Sequence, residues 1–138
     1  MLAVLLFSGA GAEARELPDL VVAKADLKAT GVCAAGKVAV AGRVRVRNAG
    51  KGRGQIFTTR DMLRAYAPAV PGLVGAVKFV NSMRPGDEQA VELRLRATSR
   101  LTVAGPVAVV ITVDPRNVFP EANEKNNAKT VQVLLDCR

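Results

Sequence analysis

Between residues 37 and 47 the chain changes character at every second position, and this period of two constrains the fold more than any other feature. Val38, Val40, Val44 and Val46 fall on one side, with Gly42 keeping the phase. Lys37, Ala39, Ala41, Arg43, Arg45 and Arg47 fall on the other. Successive side chains of an extended strand point to opposite faces, so this segment reads as a half-buried strand with a charged outer face. Residues 48–54, with glycine at 50, 52 and 54, then form a loop. A second alternating run places Val91, Leu93 and Leu95 inward and Glu92, Arg94 and Arg96 outward, entered through a Pro85-Gly86 turn. In a third, Val107, Val109, Ile111 and Val113 alternate with Ala108, Val110 and Thr112. Apolar residues on both faces predict a central strand. Residues 130–135 make the last strand, and residues 20–27 and 74–80 make weaker ones.

Residues 55–67 are ambiguous. Met62, Leu63 and Tyr66 sit at helical spacing, whereas Ile56, Phe57, Thr58 and Thr59 favour a strand, and Pro68 and Pro71 end the segment. About seven strands separated by turn signals match an antiparallel β-sandwich. The chain shows no internal repeat, heptad or low-complexity tract.

At 138 residues the chain has room for one domain, and 49% hydrophobic residues supply a core. That core is aliphatic, because the aromatic residues are four Phe and one Tyr. The absence of Trp argues against an antibody-type domain, which packs a core Trp against its inter-sheet disulfide. The absence of histidine removes Ser-His-Asp and Cys-His catalysis, two-His zinc sites and a histidine pH switch. Asp61, Asp87, Asp114, Glu121 and Glu124 could pair as acid and base, but nothing in the sequence places two of them across a cleft. Ser82 and Ser99 lack a base and a G-x-S-x-G turn. The expectation is a non-enzyme with no catalytic residues.

Residues 2–7 form a short apolar run that leads into two A-x-A sites, Ala10-Gly11-Ala12 and Ala12-Glu13-Ala14. This resembles the back half of a secretory signal peptide, without the basic n-region, the other reading being an apolar N-terminal strand or tail. Residues 1–14 are therefore expected to be a signal peptide, its start truncated, and residues 15–138 a single exported domain in the periplasm or at the cell surface. No stretch approaches the ~20 apolar residues of a membrane-spanning helix. In an oxidising compartment Cys33 and Cys137 are expected to form one disulfide between an early loop and the C-terminus.

Residues 113–130 read V-D-P-R-N-V-F-P-E-A-N-E-K-N-N-A-K-T. This run resembles the closing D-P-x-N-x-V-x-E-x-N-E-x-N-N signature of the bacterial cell-adhesion-related domain, CARDB. Asp114, Pro115, Asn117, Glu121, Asn123, Glu124, Asn126 and Asn127 fall on the pattern, while Val118 and Phe119 displace its Val. Pro18-Asp19-Leu20 resembles the family's opening strand, residues 44–50 its second strand and N-x-G turn, and residues 83–87 the loop before the next strand. The resemblance spans roughly residues 18 to 135. It implies an immunoglobulin-like or fibronectin-III-like sandwich acting as a binding or adhesion module toward a protein or a cell-envelope polysaccharide or lipid. CARDB domains usually occur as modules of larger surface proteins, so a structural spacer is the alternative.

Two surfaces stand out. Asp114, Asn117, Glu121, Asn123 and Glu124 offer hard oxygen ligands for calcium, though not in EF-hand spacing. The same residues, with Asn126 and Asn127, also read as a rigid loop organised by Asx turns, needing no cofactor. Arg43, Arg45 and Arg47, with Arg94 and Arg96, would share one outer face if their strands are neighbours, as strands B and E are in an immunoglobulin-like sheet. Glu92 is the one carboxylate the sequence places among them. The net charge of +8 suits phosphates or carboxylates of an anionic envelope polymer. Nucleic acid is disfavoured, because no aromatics interleave for base stacking. A solvated, soluble sheet face is the other reading of these arginines.

Overall fold

The computed structural model describes residues 16–52, 63–78, 83–114, 123 and 125–138. The expected signal peptide, residues 1–14, lies outside them, as do Asn117, Glu121 and Glu124. The described chain contains seven strands: β1 (Leu20–Ala29), β2 (Val38–Asn48), β3 (Leu63–Tyr66), β4 (Leu73–Val77), β5 (Glu88–Ala97), β6 (Ala104–Val113) and β7 (Ala128–Asp136). All pairings are antiparallel, in the order β1-β2-β5-β4-β3-β6-β7. The ribbon folds on itself so that β1 packs against β6 and β7, which makes a sandwich closed nearly into a barrel.

The alternating runs account for the core. Val44 and Val46 of β2, Leu93 and Leu95 of β5, and Val109, Ile111 and Val113 of β6 are all fully buried. Leu20, Leu63 and Leu73 join them from β1, β3 and β4. With 25 cal/mol per Å² as a rough guide, each such aliphatic side chain contributes about 1.5–3 kcal/mol. The ambiguity at residues 63–66 resolves as strand, because β3 has ladder partners on both sides, Leu63 pairing with Val77 and with Val113. Tertiary pairing overrides the helical spacing of the local sequence. Strand β6 lies between β3 and β7, as its two apolar faces predict.

Two bulges break the period of two. In β2 the register slips between Val38 and Val40, so Ala39, expected on the outer face, turns inward beside Val40 and is buried, while Val38 is half-exposed. One extra residue on one strand inverts the phase on its far side. In β1 the register slips between Val22 and Lys24, so the buried set changes from Leu20 and Val22 to Leu27. This slip is why that strand's alternation is weak in the sequence. Gly42 stands opposite Leu27 in the β1–β2 ladder, and a Cβ there would run into the Asp26 carbonyl oxygen.

Cys33, in the loop after β1, is joined by a disulfide to Cys137 beyond β7, with Cα atoms 5.8 Å apart. Backbone bonds hold both ends in place: Leu101 N–H donates to the Cys33 carbonyl at 2.9 Å, and Cys137 N–H to the Val103 carbonyl at 2.7 Å.

Candidate functional site

Strands β2 and β5 are ladder neighbours, with Arg43 opposite Glu92, Arg45 opposite Ala90 and Ala41 opposite Arg94. The outward positions of both strands therefore share one face, and Arg43, Arg45, Arg47, Arg94 and Arg96 are all exposed on it. The face is less uniformly basic than the sequence suggests. Glu88 stands opposite Arg47 in register and lies 3.6 Å from Arg45, while Glu92 lies 3.2 Å from Arg94. Asp26 of β1 stands opposite Arg43 and pairs with Lys24 at 3.6 Å. Two further carboxylates thus join Glu92. They arrive through pairings that a reading of single strands does not show. Exposed pairs of this kind contribute about 0–1 kcal/mol to stability, so the fold does not depend on the cluster. Arg96 also donates to the Gly36 carbonyl at 3.4 Å.

This outer face has a groove over β3, β4 and β5. The β4–β5 ladder pairs Leu73 with Ala97 and Val74 with Arg96. The two backbones stay close at Gly75, where a Cβ would strike the Arg94 carbonyl oxygen. The groove encloses about 690 Å³ and is lined by Arg64, Tyr66, Val74, Ala76, Arg94 and Arg96. Tyr66 and Val74 are cross-strand partners, 44% and 48% exposed. Sequence reasoning did not single out Tyr66 as a surface residue, because the segment that holds it was divided between helix and strand.

At one end of the sandwich lies the expected calcium loop, of which Asp114, Asn123, Asn126 and Asn127 are described. Asp114 is buried and adopts φ 47°, the left-handed turn that Asp tolerates after a strand. The Asn123 side chain accepts Lys125 N–H at 2.9 Å, an Asx turn. Asn127 is buried and donates its side-chain amide to the Val113 carbonyl at 3.2 Å, while its own carbonyl accepts Val113 N–H at 2.9 Å. Asn126 donates to Asp19 at 2.9 Å, tying the loop to the segment that enters β1. Among the described residues no group of three or more His, Cys, Asp or Glu could hold a metal ion. Of the five expected ligands only Asp114 and Asn123 are among them, so the described residues do not by themselves make a calcium site. Among the carboxylates weighed for catalysis, Asp87 accepts Arg84 N–H at 2.9 Å and closes its own turn. Asp61 lies outside the described residues.

A second buried polar network is built on a side chain that the sequence marked only as part of a turn. Asn48, 0% exposed, accepts N–H bonds from Asp19 and Gly50, each at 3.0 Å. It donates to the Gly52 carbonyl at 2.8 Å and the Met83 carbonyl at 3.0 Å. One amide thereby joins the entry to β1, the loop after β2 and the approach to β5.

Comparison with known proteins agrees with this architecture. The CARDB domain of the PF1109 protein of Pyrococcus furiosus, crystallised in complex with di-metal ions, is 25% identical with a TM-score of 0.52. That match covers 89% of this chain and 97% of that one. The solution structure of the CARDB domain of PF1109 is 26% identical over 86% of this chain and 95% of that one, with a TM-score of 0.52. A domain of a "putative cell surface protein" of Methanosarcina acetivorans shares the fold at 22% identity, with a TM-score of 0.52 over 86% of this chain and 91% of that one. No curated protein matches the chain with significance. The model of the CARDB family matches residues 17–131, which takes in β1 to β6, the start of β7 and both polar networks just described: the chain belongs to the CARDB family.

Proposed function

We propose that the chain is a non-catalytic binding or adhesion module, exported to the periplasm or cell surface, that contacts a cell-envelope or protein partner through the outer face of β2 and β5. One observation supports this reading above others: five arginines are displayed on two paired strands, where they add little to stability. Display without a structural duty leaves solubility or recognition as the reason for the cluster, and guanidinium forks suit carboxylates and phosphates. The family membership and the disulfide favour an oxidising, extracytoplasmic setting. No helix among the described residues is long and apolar enough to cross a membrane. A calcium ion on the loop from Asp114 to Glu124 is a finer proposal, supported by the oxygen-rich donor set and by the di-metal ions of the Pyrococcus furiosus domain.

The test is retention on a panel of anionic glycans and anionic lipid vesicles at low and moderate salt. Retention should fall as salt screens the arginines and should be lost when Arg43, Arg45, Arg47, Arg94 and Arg96 are all replaced by Ser. A protein that is not retained even at low salt is instead a spacer or binds a neutral protein surface.

A further inference from the structure

The groove between β3, β4 and β5 differs from the rest of the arginine face in one respect: its floor is apolar. Across the sheet, one outward-facing rung runs Val110, Tyr66, Val74 and Arg96, each paired with the next. Its neighbour runs Thr112, Arg64 and Ala76, with Arg94 beside Ala76 in the groove wall. A tyrosine ring and two aliphatic side chains are thus bordered by Arg64 on one flank and by Arg94 and Arg96 on the other. A second depression of about 330 Å³ shares Ala76, Arg94 and Arg96 and continues the groove along β5 past Val77 and Glu92.

We infer that this groove is the seat of an acidic polysaccharide built of hexuronate units, with one sugar ring on Tyr66 and Val74 and its carboxylate on the guanidinium of Arg96 or Arg94. This rests on the reading of the chain as an envelope-binding module and names the ligand class and the place. A pyranose ring has an apolar C–H face that packs on an aromatic ring, and a hexuronate carries its carboxylate at the ring's edge, within reach of a flanking arginine. The groove is open and elongated, as a polymer of such rings requires. An extended peptide binds by adding to a free strand edge, whereas this groove lies over the outer face of β3, β4 and β5, which are neighbours within one sheet. An acyl chain would need an enclosed apolar cavity, and this one opens to solvent between three cations.

Tyr66 is the sole tyrosine of a chain without tryptophan, so intrinsic emission reports on this groove alone. The experiment titrates the full disulfide-bonded chain with tri-galacturonate, with neutral maltotriose as control, by calorimetry and by acrylamide quenching of tyrosine emission. Tri-galacturonate should bind and shield Tyr66 from acrylamide, and maltotriose should do neither. Arg96→Gln and Tyr66→Ala should each weaken binding by about tenfold or more, and Tyr66→Phe should restore it. Replacing Lys28 and Lys129, exposed basic residues outside the groove, together by Gln should cost less than about threefold at moderate salt, because those charges act only through screened solvent. Exposed Tyr66 and Arg96 leave the core intact, which unchanged melting of each variant verifies. Binding that leaves Tyr66 open to acrylamide and disappears with the β2 arginines overturns the groove but not the envelope-binding reading. Binding of dextran sulfate or phosphatidylglycerol vesicles without tri-galacturonate overturns the hexuronate assignment. Failure to bind any of these anions overturns both.

Discussion

Asn48→Ala tests whether a single buried amide holds three segments of this sandwich together. The substitution removes four hydrogen bonds, to Asp19 N–H, Gly50 N–H and the carbonyls of Gly52 and Met83, at a side chain with no exposed surface. A net contribution of about 1 kcal/mol per bond gives roughly 4 kcal/mol. Each main-chain group left without a partner adds a desolvation cost, partly offset where water reaches the loop at exposed Lys51. A loss of about 3–5 kcal/mol is a large part of the 5–15 kcal/mol typical of a domain, and lowers the midpoint of a thermal melt by about 10–20 °C at this size. Asn48→Asp separates the donors from the acceptor. It keeps an oxygen toward Asp19 and Gly50 but sets a second one against the Gly52 and Met83 carbonyls. Burial and those carbonyls raise the introduced carboxyl's pKa in the folded state above its unfolded value near ~3.9. Its penalty should therefore be full above the raised value and shrink as pH falls toward the unfolded one. Circular-dichroism melts between neutral and acid pH, with the disulfide intact, measure both variants. A drop of less than about 3 °C for Asn48→Ala would refute the reasoning.

Reduction of Cys33–Cys137, or its replacement by two alanines, should cost about 4 kcal/mol, since the bridge closes a separation of 104 residues and constrains the unfolded chain. A urea midpoint unchanged by dithiothreitol would show that the bridge does not constrain that state. If calcium occupies the loop after β6, saturating calcium at about 100 times its dissociation constant should add about 2.7 kcal/mol of stability. That gain should vanish in Asp114→Ala, whereas equal melting of the native chain in calcium and in chelator would remove the metal from the account.

The strands were legible in the sequence wherever the core asks for one residue in two. Val91 to Arg96 and Val107 to Val113 lie in the faces their alternation assigns, because a half-buried strand needs nothing beyond its own period to show which side is inside. The period misplaces residues where a bulge intervenes, as at Ala39, since the extra residue is defined by the partner strand and not by its own neighbours. Asn123 was legible as a turn former for a similar reason, since its Asx turn is made within a few residues, whereas the partners of Asn126 and Asn127, Asp19 and Val113, lie far off in sequence.

The sequence by itself determined an all-β chain with an aliphatic core, two strands of outward arginine, a cysteine pair and no histidine chemistry, since these follow from composition and local period. Tertiary structure alone decided which carboxylates stand among the arginines, which main-chain groups Asn48 satisfies and how β3, β4 and β5 are ordered so that Tyr66 and Val74 lie beside Arg94 and Arg96. Each of these depends on register between strands far apart in sequence, and register is set by how the whole core packs.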